Sequence, residues 1–488
     1  MPTQSTTPAN VYDKILRGGS VVDGSAAPRR AADVAISDGK IAAIGDLSAA
    51  AAMQVFDVSG KIVAPGFIDV HTHDDCVAIS APDMLPKISQ GITTVVAGNC
   101  GISAAPIRHR DRVPEPFNLL GPEPAFHFDS FAEYAAAVDA AQPRVNVVAL
   151  VGHSTLRAAC MTDLTRRASA KEIDAMRERL HAAMQAGASG LSSGVFYAPA
   201  MAANMDELIT LGEVIAPFGG VYSTHIRDEY DGVADALHEA FDTAFGANVA
   251  LIVSHHKCAG VRNWGRSTET LPMFEAAARR QSVAMDCYPY TAGSTVLRLD
   301  LVDGEIEILI SSSEPHPEMA GRMLREVARE WNVTEKAAAQ RLMPGAACYF
   351  QIHEDDIRRI LAHPLAMIGS DGLPHGALPH PRLWGTFPRV LGRYVRELGL
   401  FPLEVAVHKM TGLSAQRFGL RNRGLLKVGM AADVTVFDPG TIADRATYAQ
   451  PLQFSIGVEH VFVNGTLAWD DGAPSTQRAG RFLKRGGD

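Results

Sequence analysis

Cysteine is scarce in this chain, basic residues are outnumbered by acidic ones, and no long apolar run is present. The six cysteines stand at 76, 100, 160, 258, 287 and 348 among 488 residues. Thiols so few and so scattered argue against a disulfide framework and fit reduced side chains in the cytosol. Lysine and arginine number 45 against 54 acids, leaving a net charge of −9. That balance argues against nucleic acid or an anionic membrane as the main partner. No uncharged apolar stretch approaches the ~20 residues of a membrane-spanning helix. The opening text, MPTQSTTPANVYDK, lacks a basic segment followed by an apolar one, so no signal peptide is expected. No repeat of fixed period is visible, and no low-complexity tract beyond Ala49–Ala52. With 47% hydrophobic and 20% charged residues, the chain has an ordinary globular balance and can bury a large core.

Both ends carry strand-like text. Residues 1 to about 10 are polar and expected to fray. DKILRGGSVVDG, AADVAISDGKIAAIGD and MQVFDVSGKIVAPG then follow as short apolar runs that stop at Gly or Asp-Gly. Ser37-Asp38-Gly39-Lys40 reads as a hairpin turn, because Asp-Gly favours positive φ. AADVTVFDPG and EHVFVNGTLAWDDG repeat the pattern near the other end, with Asn464-Gly465 as the hairpin signal. Residues 1–63 and 416–488 are therefore expected to form one small β-sandwich domain from both ends.

Residues 64–415 read as a catalytic domain of another kind. Eight apolar, β-branched runs each precede a helical stretch: 66–73, 92–100, 145–153, 190–197, 220–227, 249–257, 283–290 and 365–372. Continuous apolar runs suit parallel strands covered on both faces. A sample crossover helix spans 170–186: Ser169 and Glu172 make a capping box, Ile173, Met176, Leu180, Ala183 and Met184 line one face, and Gly187 stops it. Eight such units in the α/β class point to a (β/α)8 barrel of TIM type, with a doubly wound open sheet as the alternative. Two connections are long, Ser103 to Pro143 and an insertion at about 291–363 that holds helix-like stretches at 317–331 and 334–343. Insertions after barrel strands usually form lids or specificity walls.

The strand ends carry the chemistry. FIDVHTHDD ends an apolar run in two histidines, and residues two apart on a strand point the same way, so His71 and His73 can reach one point. Cys100 closes the second run, His153 the third, His225 the fifth, His255 the sixth (followed by His256 and Lys257), and Asp371 the eighth. A lone buried cysteine is usually a small hydrophobe, and a lone histidine is more often a satisfied polar residue. Six strands presenting a nitrogen, sulfur or carboxylate at the same end point to a metal site. Imidazole, thiolate and carboxylate together suit Zn²⁺. Cys100, His225 and His255 would hold it with one position open, where water falls to a pKa near ~7. Asp371 would take the proton from that water and deliver it to a leaving nitrogen. The reaction class is hydrolysis of an amide-like bond.

These residues resemble the amidohydrolase superfamily over almost the whole chain, through APGFIDVHTH, His225, His255, GSDG around Asp371, and RGLLKVGMAADVTVFDP. GITTVVAGNCGIS, STHIRDE, VSHHKC, NWG, YPYTAGST and IGSDGLPH are similar to the N-acyl-D-amino-acid deacylase (D-aminoacylase) branch. The resemblance implies a barrel with a β-sandwich from both ends. It also implies a tight zinc on Cys100, His225 and His255, and a second, weaker metal position lined by His71, His73 and Asp371. Strand four ends in LSSGVFY, without the carbamylated lysine of hydantoinases, which supports the branch. By family position, Lys257, Tyr288, Ser294 and Arg382, with Tyr197 nearby, would pair the substrate's α-carboxylate. Arg298 stands where members acting on neutral side chains carry an aliphatic residue, so preference for N-acyl-D-glutamate over the leucine or methionine compounds is expected. Selection for the D enantiomer comes from the resemblance alone. The expected partner is a small N-acyl amino acid, with no protein, nucleic acid or membrane implied. A cyclic-amide hydrolase of hydantoinase type and a catalytically silent scaffold are the alternatives. The missing lysine disfavours the first, and the intact ligand set disfavours the second.

Overall fold

The computed structural model describes residues 11–108, 115–121, 126–376 and 378–487. The polar first ten residues and parts of the Ser103–Pro143 connection lie outside that range. Eight parallel strands arise inside the eight apolar runs: Phe67–Asp69, Ile92–Ala97, Asn146–Ala149 continued by Val151–Gly152, Gly190–Gly194, Val221–His225, Ala250–Val253, Val283–Cys287 and Ala366–Ile368. Each pairs with the next in chain order. Past the last strand the ring comes back to the first: Thr72 bridges Gly372, and the Asp371 amide donates to the His71 carbonyl at 2.8 Å.

Both faces of these strands are buried, which is why they lack polar alternation. Ile68, Val96, Val148, Ile252, Ala284 and Met367 share one buried cluster. Their neighbours face the outer helices, as where the Phe67 ring stacks on Phe387 at 5.8 Å. Burial of each such side chain contributes about 1.5–3 kcal/mol. The crossover helix forms at Ala170–Gln185 with the Ser169–Glu172 capping box complete, and Met176, Leu180, Ala183 and Met184 inward.

Strands from both ends meet in one sheet. Val434–Phe437 lies between Ile62–Pro65 and Val458–Val463, antiparallel to each. A second sheet holds Tyr12–Arg17 between Asp33–Ser37 and Ala52–Asp57. Asp38, Gly39, Asn464 and Gly465 all take positive φ, as two Asx-Gly hairpins require. The two turns also touch: a Cβ on Gly465 would come within 2.7 Å of the Gly39 Cα.

The insertion is a small unit with its own core. Gly293–Val296, Ile308–Ser313 and Gly345–Tyr349 make an antiparallel sheet, and Leu297, Ile310, Leu324, Val327, Leu342 and Tyr349 pack against it. Its helices, Leu324–Glu330 and Glu335–Leu342, are shorter than the apolar pattern implies, and Pro317–Met319 is a separate 3-10 turn. Ser294, Thr295 and Tyr349 line the pocket at the barrel mouth, so the insertion roofs it.

Candidate active site

Only His225 is the last residue of its strand. His71, His73, Cys100, His255 and Asp371 lie two to four residues past strand ends, in the connections. Cys100, His255 and Asp371 have positive φ of 53°, 34° and 49°. Non-glycine residues in that region are strained and persist where the surroundings over-determine them, which happens mostly at functional sites. The surroundings of Cys100 are visible. Ser192 in the middle of strand four donates to the Gly98 carbonyl and accepts from the Gly101 amide. Both Asp75 oxygens accept loop amides, from Gly98 and Ala104 at 3.1 Å each, while burial pushes that carboxyl up to about 6. A Cβ on Gly194 would sit 2.1 Å from the Cys100 carbonyl. The glycine in LSSG therefore lets the cysteine loop lie directly on strand four, the strand end that carries no lysine here.

The side chains converge. Cys100 Sγ is 3.3 Å from His71 Nε2 and 3.4 Å from His255 Nε2. Asp371 Oδ1 is 3.2 Å from His73 Nε2 and 3.5 Å from His71 Nε2. The His225 ring stands edge-on to His255, centroids 4.4 Å apart. All six are buried. Burial alone would raise the Cys100 thiol, but His71 and His255 beside it hold it well below its ordinary value, as a thiolate. Asp371 is likewise buried, yet Arg382 and His71 keep it ionised.

Two carboxylates missing from the motif reading support the histidines. Asp286 takes His71 Nδ1 at 3.2 Å and the His255 amide at 2.9 Å. Glu229 Oε1 lies 3.0 Å from His255 Nδ1 and 2.6 Å from Lys257 Nζ. Metal-binding histidines characteristically give their second nitrogen to such a carboxylate. Glu229 follows His225 by four residues in STHIRDE, a spacing that could have flagged it. Asp286 offered no signal beyond being the one charge in the apolar run VAMDC.

The remaining expected residues divide. Tyr197, Lys257, Tyr288, Ser294 and Arg382 line the same pocket. Arg382 NH1 is 2.8 Å from Asp371 Oδ2, and the guanidinium lies 4.6 Å from the Tyr288 ring centroid. His153 is not brought into this group. Its Nε2 meets Glu207 at 2.8 Å, beside Arg157, on the helix behind strand three. Arg298 sits at the rim, its guanidinium 4.1 Å from the Phe196 ring centroid and 2.5 Å from Asp300.

The donor set fits a zinc ion. His71, Cys100 and His255 offer ligand atoms within 4.8 Å of one another, as do His71, His73 and Asp371. Neither ring nitrogen of buried His225 has a hydrogen-bond partner, nor does His73 Nδ1. Such orphaned buried groups are costly unless something binds them.

Comparison with known proteins adds to the geometry. A family model described as "Amidohydrolase family" matches residues 54–302 and 319–468. Three proteins of Alcaligenes xylosoxydans xylosoxydans align over nearly the full length. A D-aminoacylase is 50% identical, covering 99% of both chains. An N-acyl-D-glutamate deacylase is 48% identical, covering 97% of this chain and 96% of its own. An N-acyl-D-aspartate deacylase is 47% identical, covering 97% and 95%. The crystal structure of N-acyl-D-glutamate deacylase from Bordetella bronchiseptica, complexed with zinc and a phosphonate mimic of the tetrahedral intermediate, superposes with a TM-score of 0.94. It is 47% identical and covers 97% of this chain and all of its own.

Proposed function

The chain belongs to the amidohydrolase family, and on that premise we propose that it hydrolyses the amide bond of N-acyl-D-amino acids to a carboxylate and a free D-amino acid. One observation carries the reading: a thiolate, three imidazoles and an ionised carboxylate share one buried pocket with Arg382. Cys100, His225 and His255 would hold a tight zinc, and His71, His73 and Asp371 a weaker position. A zinc ion there supplies Lewis acidity that polarises the scissile carbonyl and acidifies water.

The chain's own groups do the rest. Asp371, kept ionised, takes a proton from the attacking water on Oδ1 or Oδ2 and passes it to the leaving nitrogen. Arg382 has a buried Nε without a hydrogen-bond partner, a spare donor for the substrate's α-carboxylate. Tyr288, Ser294 and Lys257 complete that clamp, with Tyr197 beside it. The roof formed by the insertion keeps bulk water out, which strengthens each of these electrostatic contacts.

Acidic side chains are the favoured substrates within this reading, N-acyl-D-glutamate first. Phe196 lines the pocket, and Arg298 rests on its face. A substrate carboxylate reaching past Phe196 would exchange with the exposed Asp300 for that guanidinium. The work takes place on a small molecule in a reducing compartment, the cytosol, since all six cysteines are free. Among the described residues no helix is long and apolar enough to cross a membrane.

The test is a panel of N-acetyl D- and L-amino acids assayed for released amine, with metal analysis of the purified protein. Turnover of the D series with about one tight zinc per chain is expected. A protein that binds zinc but releases no amine from any D compound would end the proposal.

A further inference from the structure

Two aspartates of FIDVHTHDD have no part in the chemistry above: Asp69, before the histidines, and Asp74, after them. Both face one buried cation. Lys87, on the short helical turn Leu85–Ile88, is 1% exposed. Its ammonium lies 2.9 Å from Asp69 Oδ2, 3.2 Å from Asp74 Oδ2 and 3.0 Å from Ser370 Oγ.

Those partners lead to the backbone that carries the site. Asp69 Oδ1 accepts the Ser370 amide at 2.8 Å and the His71 amide at 3.4 Å. Ser370 Oγ accepts the Gly372 amide at 3.2 Å. The Asp371 amide, with its positive φ, donates to the His71 carbonyl at 2.8 Å. The first and eighth strands are joined by few other bonds here: beyond their ends the contact narrows to the single Thr72–Gly372 bridge. This seam therefore depends on polar contacts rather than on a long strand ladder. A buried lysine normally costs more than it returns unless its partners are well placed, so a fully buried one at the seam marks a position held for geometry.

We propose that Lys87 is a positioning residue: through Asp69, Asp74 and Ser370 it fixes the separation between His71 and Asp371 that a shared cation needs. The inference rests on the zinc-dependent reading of the site but not on the identity of the substrate.

Lys409 supplies the comparison. It is also buried, and its ammonium donates only to the His363 and Ala366 carbonyls, away from the site. The experiment compares Lys87→Met, Asp74→Asn and Lys409→Met by zinc titration of metal-free protein against a chromophoric chelator, and by kcat and KM on the substrate that the panel identifies. In Lys87→Met, zinc affinity at the weaker position lined by His71, His73 and Asp371, and with it kcat, are each expected to fall about 10- to 100-fold, the range for lost support of metal ligands. KM should stay within about twofold, because the carboxylate clamp is untouched. Asp74→Asn should move both quantities the same way by a smaller factor. Lys409→Met should lose heat stability yet bind zinc and turn over as the wild type does.

Wild-type zinc affinity and kcat in folded Lys87→Met overturn the proposal. So does an equal loss in Lys409→Met, which would mean that removal of any buried ammonium suffices. If Lys87→Met does not fold, the isosteric Asp74→Asn decides, and wild-type values there overturn it. Weakened zinc binding in a protein inactive on the whole panel would refute the deacylase reading and leave this inference standing.

Discussion

Arg298 is half-buried, and its charge is shared between the Phe196 face and Asp300. The Asp300 side chain is 61% exposed, so water can replace it at little cost. A substrate carboxylate would gain a charge-assisted bond of about 1.5–3 kcal/mol there. Arg298→Leu is therefore expected to lower kcat/KM for N-acetyl-D-glutamate by about 10- to 100-fold relative to N-acetyl-D-methionine. A ratio unchanged in the mutant would remove Arg298 from specificity and leave it a rim residue. Single residues were legible where their chemistry is unusual for their setting: a histidine or cysteine ending an apolar run stands out in plain text. Glu229 and Asp286 did not stand out, because carboxylates are common: only the four-residue step from His225 marks Glu229, and nothing local marks Asp286. The left-handed backbone at Cys100, His255 and Asp371 was also hidden. It is held by contacts from strand four at Cys100, from Asp286 on strand seven at His255 and from the barrel seam at Asp371, all far away in the chain.

Among the elements, the apolar runs located all eight strands but overstated their length. Each run continues past the last ladder bond into a connection that is itself buried. His153 belongs to this class of misreading: it follows strand three, but a helix starts at that residue and turns it toward Glu207. Glu207 lies in the first turn of the helix Met205–Ile215, and its amide is capped by Asn204. Burial would raise its carboxyl, but His153 and a two-pronged contact from Arg157 bring it down to about 2. Its ordinary value is near 4.3. A carboxyl lowered on folding stabilises the protein above its unfolded pKa, and that contribution disappears as pH falls through the folded one. The contribution is about 3 kcal/mol at neutral pH, lost between about pH 4.5 and 2. Glu207→Gln should therefore lower the urea midpoint at pH 7 and flatten its decline between pH 4.5 and 3. A variant as steep as the wild type over that interval would assign the acid sensitivity elsewhere.

At the scale of the whole molecule, the sandwich was legible because both ends carry the same Asx-Gly punctuation. The packing of one turn on the other, glycine against glycine, was not, since it needs the three-dimensional register. The end segments also clasp the barrel: Phe482 bridges Val147 on strand three, and Arg485 donates to the Phe418 and Ser189 carbonyls. The barrel's mouth is held less completely. Six buried ligand groups come from five of its strands, and several of their polar atoms have no partner within the chain. An ion that binds there joins those strands only in the folded state, so it stabilises by mass action. At free zinc about 100 times its dissociation constant the gain is about 2.7 kcal/mol. In a chain this large that corresponds to a melting midpoint higher by only a few degrees. Chelator-stripped protein should therefore melt a few degrees below zinc-reloaded protein at equal scan rate. Magnesium, which prefers oxygen ligands to thiolate and imidazole, should not substitute. Superimposable melting curves with and without zinc would mean that the cluster holds no ion, and the hydrolytic reading would lose its foundation along with the metal.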